Sequence, residues 1–363
     1  MAPGVSRAMR LPLIDSLATN FAAVADFLRR AASLMPLRDR VSLFSPPVLV
    51  AKFARYVLTQ RHKRDVPADD PDARDPEQVR LTMDLVRALA RYYFRLEVRG
   101  IDNVPAHGPA LLVGNHNGGL FPTDSFFTSL AVWDHFGPSR AVFALAHDFL
   151  FHDPMLRRYA LKLGALRAGH DSAHRVFERG GLVLVYPGSD LEDFRPWRER
   201  GRIVLGGRKG FLRLAIHEGV PIVPVVSAGT HEQLIVLTRG DRLARLLHMH
   251  WWARTFTCPI VLAVPWGITS GFLPYLPLPA QTTLAFGAPI AWPELSPRDA
   301  DDPVVLERCY RQVEARMQAM LDELSRGRRP FLGQKRFSPP RRSRPAPPPR
   351  ARRPSDRAMP TGS

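Results

Sequence analysis

The sequence predicts an α/β fold: a mixed, mostly parallel sheet flanked by helices, with an N-terminal helical arm and a disordered basic C-terminal tail. Three observations carry that reading. Short, strongly apolar runs rich in valine, leucine and isoleucine end abruptly in Gly, Asn or Pro, as buried strands do. Longer segments with apolar residues at i, i+3 and i+4 alternate with them. Both patterns stop at the C-terminal end of the chain, where composition changes.

Residues 1–65 are helical in type. Phe21 to Arg30 and Pro47 to Leu58 carry helical apolar spacing, flanked by arginines such as Arg29, Arg30, Arg38 and Arg40. Such an arm fits either a membrane interface or packing on the rest of the protein. No uninterrupted apolar core of a signal peptide stands there. Residues 66–76, rich in Asp and Pro, read as a linker. The main domain is expected over 77–326. It begins with a helix from Glu77 to Phe94, and strands follow near 95–100, 110–115, 141–146, 182–187, 221–226, 260–265 and 281–286. Between the last two strands, Trp266 to Leu278 reads as an apolar loop, explained by core packing or by a surface that dips into a bilayer or lines an acyl groove. Val304 to Arg326 is an amphipathic helix, with Leu306, Val313, Met317, Met320 and Leu324 as its apolar anchors. Residues 327–363 form the tail.

The chain has 363 residues, 45% of them hydrophobic, enough for one large domain with appendages. Its two cysteines exclude a disulfide framework and a Cys-His zinc site of usual spacing, and no metal is expected. There is no G-x-S-x-G elbow, no P-loop and no dinucleotide-binding glycine pattern. No run of about 18 clean apolar residues predicts a membrane span. The formal charge of +17 is uneven: Arg326 to Arg357 holds twelve basic residues and one acid, Asp356. Charge and proline together predict disorder there. Its two readings are attachment to anionic lipid headgroups and simple solubilisation. With Phe337 as its one aromatic after Phe331, base stacking is poorly supported, and nucleic acid is not an expected partner.

His116 carries the chemistry. The run Ala110-Leu-Leu-Val-Gly-Asn-His-Asn-Gly-Gly, followed by Asp124, places a histidine at the end of a buried strand, before flexible backbone and an acid. Imidazole there can take a proton from a hydroxyl, and a carboxylate can fix its tautomer. The alternative is a core histidine, with Asp124 as the N-cap of a helix starting at Ser125.

Three further blocks stand in order: Leu182 to Ser189, ending in Tyr-Pro-Gly-Ser; Arg208-Lys209-Gly210-Phe211; and Val220 to Val225. With the Asn-His…Asp block, these resemble the glycerolipid acyltransferase superfamily over roughly residues 80–325. The closest likeness is to its monoacylglycerol/diacylglycerol acyltransferase-like branch. The resemblance implies transfer of a fatty acyl group from an acyl thioester, acyl-CoA or acyl carrier protein, to a hydroxyl of a glycerolipid or similar lipid alcohol. No cofactor is then needed, because a thioester is already activated. His116 is the expected general base and Asp124 its orienting acid. Asn115, Gly118, Gly119, Arg167, Pro187, Gly188, Ser189, Arg208 and Lys209 form the expected substrate-binding set. Within it, N–H groups near Gly118-Gly119 or Gly188-Ser189 would meet the oxyanion. Arg208 and Lys209 would hold phosphates, unless they form an ordinary solvated helix face; Arg167 lies where the family places its second motif. Two departures stand out. Seven residues separate His116 from Asp124 where the common pattern has four, and the usual Glu between Pro and Gly is missing at Pro187-Gly188. The second points away from a lysophosphatidate-type acceptor and towards a neutral one. The expected location is peripheral, on the cytoplasmic face of an anionic membrane. The rival function is a non-catalytic lipid-surface or scaffold protein that keeps the fold.

Overall fold

The computed structural model describes residues 68–119, 121–252, 255 and 257–334, without the side chains of Phe149, His152 and Trp252. The expected arm over residues 1–65 and all of the tail past Gln334 lie outside the described residues. Chain order runs α1 (Pro76–Ala88), a π-helical turn (Leu89–Tyr93), β1 (Glu97–Arg99), β2 (Ala110–Gly114), α2 (Thr123–Phe136), β3 (Val142–Ala146), α3 (Phe149–His152), α4 (Pro154–Lys162) and β4 (Ala165–Arg167). Next come α5 (His170–Glu178), β5 (Leu182–Val185), α6 (Ser189–Asp193), α7 (Gly210–Glu218), β6 (Ile222–Ala228), β7 (Ile235–Thr238), α8 (Asp241–Leu246) and α9 (Met249–Trp252). β8 (Ile260–Ala263), β9 (Gly267–Ser270), β10 (Thr283–Phe286), α10 (Pro303–Ser325), β11 (Arg328–Arg329) and β12 (Gly333–Gln334) complete it.

The main sheet has strand order β1-β10-β6-β2-β5-β3-β4. Neighbours from β6 to β4 are parallel, while β10 runs antiparallel to β6. The mixed, mostly parallel sheet expected from the sequence is therefore what forms. Strand alternation divides its core in two. Leu111 and Val113 of β2 face α5, α7 and α10, where Val176, Leu212, Val313 and Met317 pack. Ala110 and Leu112 face α1 and α2, where Met83, Val86, Phe127 and Leu130 pack. All five anchors expected on the last helix, Leu306 to Leu324, are buried.

The structure departs from expectation at four places. β4, β7 and β9 are additional strands. The strand expected at 260–265 does not join the main sheet; it is the centre of a separate antiparallel sheet, β7-β8-β9. Half of the expected apolar loop Trp266 to Leu278 is thus strand β9 and its hairpin. Short strands interrupted by Pro259, Pro265 and Gly271 hide their period from the sequence.

The other two departures lie at the boundaries. Described residues of the expected 66–76 linker pack on the domain: Ala68 is buried, and Asp69, Asp72 and Asp75 pair with Arg175, Arg179 and Lys162 at 3.1, 2.5 and 3.1 Å. Acids that read as solvating serve as partners for basic residues more than 80 positions on. At the other end, order continues past the expected boundary at 327. Arg328 forms a buried ion pair with Glu232 at 2.9 Å, and β11 pairs with β12. Charge in this segment is neutralised across the fold, which composition does not reveal.

Candidate active site

β2 and β5 are adjacent and parallel, and the chain leaves both at their carboxyl ends beside each other. Ligands of open α/β sheets bind in this position. The Gly114-Asn115-His116 turn after β2 is fixed from both sides. Asn115 is buried; its Nδ2 donates to the Ser227 carbonyl at 3.1 Å and its Oδ1 accepts from the Ser227 N–H at 2.8 Å. Asn115 therefore ties β2 to β6 instead of facing a substrate. On the other side, the Tyr186 ring stacks on His116, with centroids 4.5 Å apart and planes at 21°. Gly114 makes that possible, since a Cβ there would lie 2.3 Å from the Tyr186 ring.

The long spacing does not separate His116 from Asp124. Asp124 sits in the first turn of α2, 1% exposed. Its Oδ2 lies 3.0 Å from His116 Nδ1 and also accepts the Asn117 N–H at 2.8 Å; its Oδ1 accepts the Ser125 N–H at 2.7 Å. The extra residues are absorbed by Gly118 and Gly119, whose φ angles of +98° and +65° turn the chain back on itself. With Nδ1 committed to Asp124, the neutral ring presents Nε2 as the proton acceptor, and the side chain keeps 21% of its surface open.

The sequence did not reveal what surrounds this pair. Glu192 and Arg195 are fully buried, and Asp193 nearly so. Glu192 accepts the His116 N–H at 2.9 Å and the Val204 N–H at 3.1 Å. Asp193 accepts the Gly119 N–H at 2.7 Å. Arg195 donates to Asn117 Oδ1 at 2.6 Å and to the carbonyls of Glu192 and Glu199 at 2.9 and 3.2 Å. The segment after β5 thus supplies the brace that holds the His116 loop. Asp190 to Arg202 reads as a polar loop by composition. The available signal was Glu192 and Arg195 at i, i+3, on either side of Phe194.

Electrostatics follow from this crowding. Burial alone would push the His116 pKa down, but Asp124, Asp193 and Glu192 outweigh it and raise it to about 10. Burial raises Glu192 to about 7 and Asp193 to about 6, against the pull of Arg195 and His116. The imidazole is a strong base held among acids.

The remaining candidates divide. Pro187, Gly188 and Ser189 form the turn beside His116, but the Ser189 N–H is bound to the Tyr186 carbonyl at 3.2 Å. Gly119 is likewise taken by Asp193, so neither N–H is open to an oxyanion. Gly118 is close by, its carbonyl accepting from the Tyr275 hydroxyl. Arg208 bridges the Pro187 and Gly188 carbonyls at 3.2 and 3.3 Å and pairs with Asp190 at 3.1 Å. Lys209 pairs with Glu307 of α10 at 2.7 Å, away from the turn. Arg167 ends β4 and contacts Asp148 at 3.5 Å. Three strand steps separate it from β2, roughly 14 Å at the usual spacing. The two expected phosphate ligands, and Arg167 with them, are each engaged by a carboxylate of the protein itself.

Comparison with known proteins gives four findings. A family model described as Acyltransferase matches residues 95–228. An uncharacterized protein of Mycobacterium tuberculosis is 34% identical over 280 residues, covering 77% of this chain and 74% of that protein. The Bos taurus protein named DGAT1/2-independent enzyme synthesizing storage lipids is 30% identical over 152 residues, 42% of this chain and 44% of its own. Among solved structures, the 1-acyl-sn-glycerophosphate acyltransferase PlsC of Thermotoga maritima aligns over 85% of this chain and 98% of its own, with 16% identity and a TM-score of 0.43.

Proposed function

Because this chain belongs to the glycerolipid acyltransferase superfamily and is an O-acyltransferase, we propose that His116 is its general base and that it acylates a neutral lipid alcohol from an acyl thioester. The observation that carries this reading is the 3.0 Å contact between His116 Nδ1 and Asp124 at the carboxyl ends of β2 and β5. His116 Nε2 takes the proton of the acceptor hydroxyl as its oxygen bonds to the thioester carbonyl carbon. Asp124 stabilises the imidazolium that forms. The tetrahedral intermediate collapses with cleavage of the C–S bond, and the imidazolium returns the proton to the departing thiolate. Among the described residues, the N–H groups of Gly118 and Gly188 are left to meet the oxyanion. The rival, a non-catalytic scaffold, expects His116 and Asp124 to point apart, and they touch.

The neutral acceptor is favoured by charge. Asp124, Glu192 and Asp193 already surround His116 and offset its charge, so a phosphomonoester there would need further cations. Arg167, Arg208 and Lys209, the cations that would offset this, are each paired with an acid. Acyl-CoA or acyl carrier protein is the proposed donor. The proposed location is the cytoplasmic face of the membrane, held in part by the basic residues beyond Gln334. No helix among the described residues is long and apolar enough to cross a membrane.

The test is an assay of purified protein with radiolabelled acyl-CoA against monoacylglycerol, diacylglycerol, lysophosphatidate and a long-chain alcohol, with His116→Ala in parallel. Label in a neutral ester, lost in the variant, is expected. Preference for lysophosphatidate would overturn the acceptor class, and transfer undiminished in the variant would overturn the base.

A further inference from the structure

The antiparallel sheet departs from the usual pattern of a sheet with one solvated face. A sheet covered on one face alternates apolar inwards and polar outwards. In β8, Val261 and Ala263 are buried against Phe194, Leu234 and Tyr275. Leu262 and Val264, on the opposite face, are also apolar, and both are exposed. Leu262 lies directly opposite Ile268 of β9, and Val264 bridges Leu276. Four apolar side chains therefore share the outer face as one stripe, with Ile268 71% exposed. Trp266, also exposed, stands in the hairpin between β8 and β9. Of the fifteen large apolar side chains exposed among the described residues, ten fall between Leu237 and Leu276. A concentration of this kind marks an interaction surface, whereas scattered exposed residues mark nothing. α8 and α9, within the same excursion, expose Leu246 and Trp251 beside the exposed cations Arg242 and Arg245.

We infer that the outer face of β7-β8-β9 is a membrane-docking surface that seats in the headgroup–acyl boundary of a bilayer. The inference rests on the reading that the substrates are lipids. Two observations select a bilayer over other occupants. The stripe is apolar, and α8 of the same excursion exposes the cations Arg242 and Arg245, a pairing that matches a surface with an apolar interior and anionic headgroups. It is also continuous with the catalytic loop. Leu276 belongs to the stripe, and its neighbour Tyr275 points inwards, its hydroxyl donating to the Gly118 carbonyl two residues from His116. Docking on this face brings the loop to the boundary where a lipid hydroxyl resides.

The experiment compares full-length protein with a Leu262→Ser/Ile268→Ser variant. Both positions are exposed, so circular dichroism and transfer to detergent-dispersed acceptor should match the parent; the single variant Ile268→Ser serves if the double one does not fold. Vesicles are phosphatidylcholine alone or mixed with phosphatidylglycerol, each with brominated acyl chains that quench tryptophan. The parent should co-sediment with both, keep part of its binding through a high-salt wash and show quenching that Trp266→Phe reduces. The double variant should lose about tenfold or more of the salt-resistant partition. Equal partition and equal quenching in parent and variant would overturn the inference. So would a parent dimer that the variant dissociates with vesicle partition unchanged, which would assign the face to a second copy. Loss of the chemistry is a separate result: a parent that docks yet transfers nothing refutes the proposed function and leaves the docking face standing.

Discussion

At the scale of single residues, the site is a base made strong by its neighbours. His116→Ala should lower transfer by roughly 10²–10⁴-fold, because general-base catalysis is worth about that much, and should also lower the melting temperature near neutral pH, because the ring's charge is held by Asp124 and its neighbouring acids. Asp124→Asn should also cost activity, since an amide nitrogen cannot accept from Nδ1–H and favours the wrong tautomer. Steady-state rates beside thermal melts separate the two effects. The pH dependence has a definite sign. His116 must lose its proton to act, and the carboxylates hold that proton well above the ordinary 6.5, so kcat/KM should rise with pH through the neutral and alkaline range. Stability should move the other way. A raised imidazole pKa stabilises the fold fully below 6.5 and is lost as pH climbs towards about 10. The raised carboxyl pKa values of Glu192 and Asp193 act in the same sense, their contribution fading from 4.5 to about 7 and from 3.8 to about 6. Activity and melting temperature measured together from pH 6 to 9 should diverge; a flat rate profile would remove His116 as the titrating base. His116 and Asp124 were legible because both lie in one stretch of chain beside a recognisable strand end. Their spacing was not decisive, because two glycines with positive φ can close a loop of any such length.

At the scale of elements, the segment Ser189 to Glu199 works as a brace, and its importance was hidden. Glu192 meets the His116 N–H across 76 positions of chain, and Arg195 meets Asn117 across 78. No local pattern reports a partner that distant, so a charged run reads as solvated. Arg195→Met should destabilise the protein by about 3–5 kcal/mol, because buried acids lose their cation. Glu192→Gln should cost less, since burial already brings Glu192 close to neutral near pH 7. Chemical denaturation of the two variants checks the order. The turn before the brace is equally tight: Gly114→Ala would drive the Tyr186 ring off His116 and should reduce transfer more than stability. The strands of the main sheet were legible wherever they were buried on both faces, as β2, β5 and β6 are. β7 and β9 were not, because short strands between prolines and glycines carry no period long enough to read.

At the scale of the whole molecule, the ends matter more than composition suggests. Removing residues 335–363 deletes nine basic residues and one acid. It should weaken binding to anionic vesicles, chiefly at low salt where screening is weak, and leave the melting temperature unchanged. Cutting eight residues earlier, before Gly327, removes Arg328 as well. Glu232 is then a buried charge without its partner, and the fold should lose about 3–5 kcal/mol. Co-sedimentation and melting curves of the two truncations distinguish a surface function from a structural one; equal melts would show that the Arg328 contact contributes nothing. The Arg328–Glu232 pair spans 96 positions, almost to the last described residue. During synthesis, Glu232 leaves the ribosome long before its cation does, and domains assemble from the N-terminal side as they emerge. His116, Asp124 and the brace up to Arg195 have all emerged by then, yet Glu232 still lacks its cation. The segment around Arg328 therefore completes the fold: a product that stops before it carries every proposed catalytic group but should be less stable than one that reaches Gln334.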